Sequence, residues 1–475
     1  MNRRVSKSSS RPAIDRRACV TTRSETPRAT DSPSATIRST VPLTTNVPSV
    51  VRLIATVLAV GSPLFAQSRP TYIQFSPGPV KGALYKPDSG PSPHVAILLI
   101  HRTANMLGAP ATRELSSRGF MVLAVNPRSD NNEAAVNFEA NALDIRSGVE
   151  FLRKQPGITS IVLWGHSGGG PATSFYQAVA EQGPSYCRGP NKLTECDDTL
   201  AGLPKADGLI LVDAHPGISV NGLRSLNPAV VDEHDPRKLD PALDSFNPAN
   251  GYKDGASRYS DEFKRKYFKA QADRMNRLID AAQAEMKAMR SSAAPYPDDD
   301  AMVVTRFEGA RLMELDPSIH HTTMKPRRLL KNDGTIVTQI VESVRRPARG
   351  YDKRNASFEG GARVMTLRSF LSANAIRAKD SLDDIEWCSS NNSTRCAVER
   401  ITIPTLVTAM GAHYFIRDGE IHYEASASRD KDFIVIEGAT HGFTPCNACE
   451  TTPGQYANSQ RNFFDYVTKW IKARF

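Results

Sequence analysis

The sequence lacks several features that would place it in common classes of protein. Its most apolar segment, residues 53–66, is shorter than the roughly 20 residues that a helix needs to span a bilayer. It contains no dinucleotide-binding fingerprint and no internal repeat. The pair His320-His321 has no ligand-spaced companion, and there is no second C-x-x-C motif. These absences argue against a membrane-spanning protein, a nucleotide-dependent enzyme and a metal site.

The chain also lacks a basic surface, although its net charge is +10. Residues 1–67 hold ten Lys and Arg against three Asp and Glu, which accounts for +7. The remaining 50 basic and 47 acidic residues give only +3. Because nucleic-acid binding requires a clustered positive charge, no nucleic-acid partner is predicted.

Residues 1–67 are predicted to form a leader and not part of the fold. The stretch up to Val51 is rich in Ser, Thr, Pro and Arg and cannot form a core. Arg52 and the apolar segment 53–66 are typical of a signal peptide that is cleaved near Ala66. Since the stretch before it is too long for a signal peptide, we expect translation to start near Val50. A secreted or periplasmic protein follows; a membrane-tethered form is the alternative.

Cysteine usage indicates the same compartment. Of the seven cysteines, Cys19 lies in the leader. The other six form three close pairs: Cys187 with Cys196, Cys388 with Cys396, and Cys446 with Cys449. In an exported chain such pairs predict local disulfides. For Cys446 and Cys449, a redox-active or zinc-binding motif is the less favoured interpretation.

One short motif carries the chemistry. Gly165-His166-Ser167-Gly168-Gly169 follows the apolar run 161–164 and precedes a helix candidate that begins at Pro171. This is the G-x-S-x-G pattern in the setting of strand, sharp turn and helix. Glycines allow the strained turn that exposes a serine hydroxyl, and the Gly168 amide points to where an oxyanion would bind.

The surrounding pattern predicts an α/β fold. Residues 94–101, 119–126 and 208–212 are apolar runs expected of buried parallel strands, and residues 72–86 resemble a hairpin. Helical patterns lie around 113–118 and over 135–154. Strands that alternate with helices indicate a mostly parallel sheet with right-handed crossovers.

The C-terminal region completes a resemblance. The apolar run 433–436 leads into the loop that holds His441, and a helix candidate runs from about residue 458 to the end. With the serine motif, this order resembles the α/β-hydrolase family over residues 72–216 and 401–475. The resemblance implies an α/β-hydrolase fold, a mostly parallel doubly wound sheet with a large helical cap insertion. It also implies that Ser167 is the nucleophile and His441 the general base.

The acid of the catalytic triad has three candidates. Relatives most often carry it after the penultimate strand, here residues 401–410, but His413 or Tyr414 occupies the usual position. Asp213 ends the strand 208–212, where some members of the family carry the acid, and is the first choice. Asp418 and then Glu420 are the alternatives; the Asp418-Gly419 pair is also typical of a surface turn.

The oxyanion-binding amides are predicted to be Gly168 and one from the loop after the strand 94–101. Relatives often have glycine there, whereas this chain has Arg102 followed by Thr103. The amide of Arg102 or Thr103 can still serve, because the interaction uses the backbone. An ordinary connecting loop is the competing interpretation.

The domain boundaries follow: leader 1–67, hydrolase core 68–215, cap or lid insertion 216–400, and the rest of the core 401–475. The clearest element of the insertion is an amphipathic helix over 261–289. Its apolar stripe is expected to pack on the core; lining a substrate tunnel is the alternative.

The predicted function is that of an exported serine esterase that needs no cofactor. Its partner is a small-molecule ester, which the large insertion suggests is bulky or amphiphilic, and no stable membrane span remains after signal cleavage. Amidase or thioesterase chemistry uses the same triad. A non-catalytic ligand-binding protein on this fold is the competing class.

Overall fold

A computed structural model describes residues 69–76, 78–291, 296–308 and 311–475. The predicted leader, its signal segment and Cys19 lie outside the described residues. Among the described residues, no helix is both long enough and apolar enough to cross a membrane.

The strands build one large sheet and one small sheet. In chain order they are β1 Thr71–Gln74, β2 Lys81–Tyr85, β3 Val95–Ile100, β4 Met121–Asn126, β5 Ser160–His166, β6 Gly208–Val212, β7 Ala301–Val304, β8 Arg327–Leu330, β9 Ile336–Gln339, β10 Arg363–Thr366, β11 Thr405–Met410 and β12 Lys431–Ile436. The large sheet has the order β1-β2-β4-β3-β5-β6-β11-β12-β8-β9, and β7 pairs with β10 in a separate ribbon. From β4 to β8 all neighbours are parallel, whereas β2 runs antiparallel to β1 and β4.

Helices cover both faces of the large sheet. In chain order they are α1 Pro110–Ser116, α2 Asn141–Arg153, α3 Gly169–Gln182, α4 Ile218–Ser225, α5 Asp261–Ser291, α6 Leu312–Leu315, α7 Tyr351–Ala356, α8 Phe358–Gly361, α9 Leu367–Ser369, α10 Thr394–Val398, α11 Ile416–Ala425 and α12 Ser459–Lys472. Apolar side chains of α2 and α3 pack on one face, and those of α1 and α12 pack on the other. The predicted doubly wound, mostly parallel sheet is therefore confirmed.

The periodicity of the sequence explains this arrangement. Every residue of β3 and β4 is buried, as a strand covered on both faces requires. α12 buries an apolar stripe that includes Phe463, Val467 and Trp470 and leaves its other face polar. Each such side chain contributes about 1.5–3 kcal/mol when it leaves water, so these stripes fix the helices to the sheet.

The segment 216–400 contributes both helices and strands. The apolar stripe of α5 is buried, with Met275 and Ile279 in one cluster with Val220 and Leu223 of α4. The stripe therefore packs on α4, within the same segment, and not in either of the two apolar clusters on the large sheet, where it was expected to pack. β8 and β9, which belong to the same segment, extend the large sheet beyond β12. The segment therefore adds to the sheet as well as to the helices, which its sequence pattern did not indicate.

Candidate active site

Ser167 lies in the sharp turn between β5 and α3, with a φ of +57°. This left-handed conformation is strained for a residue that carries a Cβ, and such strain is concentrated at functional sites. A Cβ on Gly165 would lie 2.4 Å from Thr173 Oγ1, and one on Gly169 would lie 2.2 Å from the Ile100 carbonyl oxygen. The glycines therefore permit the close contact of strand and helix that holds the serine at the edge of the sheet.

His441, in the loop after β12, contacts the serine directly. Its Nε2 lies 2.9 Å from Ser167 Oγ, and its Nδ1 lies 2.6 Å from Asp213 Oδ2. The Nδ1–H thus donates to the carboxylate, which leaves Nε2 free to accept the serine proton. His166 contributes to the position of the loop, because its Nε2 is 2.9 Å from the His441 carbonyl oxygen.

Asp213 is a buried carboxylate that directly follows β6. Its side chain is fully shielded from solvent, and its Oδ1 accepts a hydrogen bond of 3.0 Å from the Met410 amide. Burial alone would raise its pKa, but His413 and His441 outweigh that effect and hold the pKa of Asp213 well below its ordinary value. The carboxylate is therefore ionised when the His441 ring becomes protonated.

Strand order and nucleophile position together decide the fold. The serine turn follows β5, the fifth strand along the sheet, and β2 is the antiparallel strand second in that order. A serine on a strained turn from a central parallel strand into a helix is typical of the nucleophile elbow of α/β-hydrolase folds. The chain has the α/β-hydrolase fold.

Solved structures with α/β-hydrolase folds resemble this chain at low identity. Est1E from Butyrivibrio proteoclasticus is 11% identical, with 86% of this chain and 99% of that chain covered and a TM-score of 0.38. The Paleococcus ferrophilus monoacylglycerol lipase is 14% identical, with coverage of 84% and 100% and a TM-score of 0.37. The α/β hydrolase GrgF from Penicillium sp. sh18 is 10% identical, with coverage of 86% and 99% and a TM-score of 0.40. No family model and no curated protein matches the sequence.

The other two acid candidates are bound elsewhere. The segment predicted as a loop around Asp418 is helix α11, so the surface-turn interpretation is wrong. Asp418 is buried and accepts two hydrogen bonds from Arg224, at 2.9 and 3.1 Å. Glu420 accepts hydrogen bonds from Arg327, Arg417 and two backbone amides. Neither has a hydrogen bond to His441 among the described contacts.

His413 is a second histidine beside Asp213, and its sequence position did not predict this contact. Its Nδ1 is 2.7 Å from Asp213 Oδ2, an ion-pair distance without the alignment of a hydrogen bond. Its ring stacks on His441 at a centroid distance of 4.4 Å. Burial lowers the pKa of His413 although Asp213 acts to raise it. His413 occupies the position where relatives were expected to carry the acid.

His215 is a second histidine that contacts the Ser167 hydroxyl. Its Nε2 lies 3.0 Å from Ser167 Oγ, and its backbone amide donates a 3.0 Å hydrogen bond to the Ser167 carbonyl oxygen. Sequence reasoning missed this residue. The available signal was its position two residues after Asp213, at the carboxyl end of β6. Parallel strands bring their carboxyl ends to one edge of the sheet, so a residue there can lie near Ser167, which follows β5.

The loop after β3 is fixed by its side chains. Arg102 is buried and pairs with Glu133, and its carbonyl oxygen accepts a 2.5 Å hydrogen bond from Ser129 Oγ. The Thr103 amide donates to His101 Nδ1 at 3.1 Å, so it is engaged within the loop. Within the described residues, the amides of Arg102 and Gly168 have no recorded acceptor. These two amides are the predicted oxyanion donors that have no acceptor among the described residues.

One set of side chains has the composition of a metal site. Ligand atoms of Asp213, His413 and His441 lie within 4.8 Å of one another. However, the Asp213 carboxylate already accepts the His441 Nδ1–H, and a metal there would displace that proton. The geometry fits a proton-transfer chain.

Each predicted cysteine pair is brought to bonding distance. Disulfides link Cys187 with Cys196, Cys388 with Cys396, and Cys446 with Cys449. The Cys446 amide donates a 2.9 Å hydrogen bond to the Gly438 carbonyl oxygen, across the loop that holds His441. The third disulfide therefore closes the chain directly after that loop.

Proposed function

We propose that this protein is an exported serine hydrolase that cleaves carboxylic esters through an acyl-enzyme. The observation that carries the proposal is the continuous path from Ser167 Oγ through the His441 ring to Asp213, with contacts of 2.9 and 2.6 Å. In this chain the histidine is the general base, and the buried carboxylate orients it and stabilises its protonated form.

Acylation begins when Ser167 Oγ attacks the ester carbonyl carbon while its proton moves to His441 Nε2. The carbonyl oxygen becomes an oxyanion, which the Gly168 and Arg102 amides would bind. The bond to the alcohol then breaks, and the alcohol leaves with the proton from His441. Water repeats the sequence on the acyl-enzyme and releases the acid.

The competing class, a non-catalytic binding protein, was favoured by the irregular loop at the usual position of the acid and by Arg102 in the oxyanion loop. The contact of Asp213 with His441 and the two available amides favour the hydrolase instead. Amides and thioesters use the same groups, so the preference for esters is tested by comparing nitrophenyl esters, thioesters and nitroanilides that share one acyl chain.

Export is the second part of the proposal. The predicted signal segment and three disulfides that close short loops both support an oxidising compartment. Expression with and without residues 1–67, followed by fractionation and N-terminal sequencing, tests this part. Protein that stays in the cytoplasm and still carries the predicted signal segment 53–66 would contradict it.

The decisive test is labelling of the mature protein with a fluorophosphonate probe, with the labelled residue identified by mass spectrometry. We expect one label on Ser167, lost in Ser167→Ala and His441→Ala. Ser174→Ala is the matched control, because its hydroxyl, one turn into α3, donates to the Gly170 carbonyl oxygen. A folded wild-type protein that neither labels nor hydrolyses short nitrophenyl esters would overturn the proposal.

A further inference from the structure

Two histidine rings contact the hydroxyl oxygen of the nucleophile. His441 Nε2 is 2.9 Å from Ser167 Oγ and His215 Nε2 is 3.0 Å from the same atom. A hydroxyl group has one proton to donate and lone pairs that accept. The two rings therefore play opposite parts: one accepts the serine proton and the other donates its own.

The surroundings decide which ring does which. His441 Nδ1 donates to the Asp213 carboxylate, so its Nε2 carries the lone pair. His215 has no such carboxylate, and its Nδ1 is buried without a hydrogen-bond partner. A proton on that Nδ1 would leave a buried donor unpaired, whereas a proton on Nε2 is bonded to Ser167.

We propose that His215 is a second catalytic histidine, which donates its Nε2–H to Ser167 Oγ and assists hydrolysis of the acyl-enzyme. This inference rests on the serine hydrolase function proposed above. Burial holds the pKa of His215 well below its ordinary value, as required of a neutral donor that does not replace His441 as the base.

The contribution is expected in the second half of the reaction. Water attacks the acyl carbon and gives a proton to His441 Nε2, and the carbon–Oγ bond then breaks. The electron pair of that bond stays on Ser167 Oγ, which regains its proton from His441. A hydrogen bond from His215 stabilises the charge on Oγ as it leaves, and His215 itself ends unchanged.

The ring is held in place by its neighbours. The His215 carbonyl oxygen accepts a 2.6 Å hydrogen bond from Thr394 Oγ1, and its ring packs edge-on against Phe415 at 5.0 Å. The backbone and the ring of His215 are thus each held by one neighbour, which favours a constant direction of the donor.

The test compares His215→Leu, which has no donor, with His215→Gln, which places an amide donor near the position of Nε2. Pre-steady-state hydrolysis of p-nitrophenyl acetate separates acylation from deacylation. We expect His215→Leu to slow deacylation by about 10- to 100-fold, the effect of one hydrogen bond to a charged oxygen. An acetyl group should then accumulate on Ser167, visible by mass spectrometry, and His215→Gln should recover much of the rate.

Two kinetic results would overturn the proposal. One is deacylation of His215→Leu at the wild-type rate. The other is an equal loss of acylation and deacylation in the Leu and Gln variants, which indicates a structural role. If His215→Leu does not fold, nitrogen-15 NMR of the wild-type histidines decides: a proton on His215 Nε2 supports the proposal, and one on Nδ1 contradicts it. Wild-type protein without ester hydrolysis would instead contradict the proposed function.

Discussion

Two buried aspartates of this protein have different partners. Asp213 lies between the imidazoles of His441 and His413, at 2.6 and 2.7 Å. Asp418, on α11, is equally buried but receives both of its closest hydrogen bonds from the guanidinium of Arg224 on α4. Both satisfy the rule that a buried carboxylate needs a partner.

The difference lies in what each partner does with a proton. An imidazole gains and loses a proton near neutral pH, whereas a guanidinium stays protonated. Asp213 is thus coupled to a group whose charge changes during a reaction. Asp418 instead links two helices through a permanent ion pair. Burial alone therefore does not distinguish the carboxylate of the proposed triad from a structural one.

The largest expected effect is the loss of kcat when Asp213 is replaced. Asp213→Asn should lower kcat for ester hydrolysis by about 10⁴-fold, because an amide no longer holds His441 in the required tautomer. Circular dichroism should show a folded protein. A decrease of less than tenfold in folded protein would mean that another carboxylate serves His441.

The second aspartate should show the opposite pattern. Asp418→Asn leaves Arg224 as a buried charge without its partner, which should reduce the free energy of unfolding by about 3–5 kcal/mol. Activity per folded molecule should stay close to wild type. Urea unfolding measures the free energy of unfolding, and active-site titration gives the activity per folded molecule. A stable but inactive variant would contradict a structural role for Asp418.

Sequence reasoning recovered the parts of the site that depend on local pattern. The glycines around Ser167 predict the turn between strand and helix. Asp213 is recognisable because it is a charged residue directly after an apolar strand. Thr103 was an equal candidate for the oxyanion until its amide was found bonded to His101. The roles of His215 and His413 depend on contacts made by packing, and the loop pattern near Asp418 concealed a helix that forms against the sheet.

A pH experiment tests the buried surroundings of Asp418 through His422, which lies one turn further along α11. This ring is buried, neither nitrogen has a hydrogen-bond partner, and burial, followed by Arg224, lowers its pKa to about 3. The unfolded chain binds a proton near pH 6.5 that the folded protein rejects, so stability falls as the pH is lowered from there towards 3. His422→Leu should flatten this decrease by up to about 1.4 kcal/mol per pH unit.

The control for that experiment is His234→Gln, since the His234 side chain is exposed. It should leave the pH dependence of unfolding as in wild type. If His422→Leu and wild type lose stability in parallel between pH 6 and 4, His422 is not the buried neutral group described.

The smallest effect is expected at the other neighbour of Asp213. His413→Phe keeps a ring stacked on His441 but removes the polar contact with the carboxylate. Because such a contact is worth roughly 0.5–1.5 kcal/mol, kcat should fall by about 2- to 10-fold. Initial rates at saturating ester give this value. A decrease as large as that of Asp213→Asn would place His413 within the triad itself.

The most direct measurement is the rate at which a fluorophosphonate modifies Ser167 in Asp213→Asn and in Asp418→Asn, each corrected for the folded fraction. We expect Asp213→Asn to react several orders of magnitude more slowly than wild type and Asp418→Asn to react at a rate close to wild type. Slow modification of Asp418→Asn together with fast modification of Asp213→Asn would contradict the assignment of Asp213 to the triad.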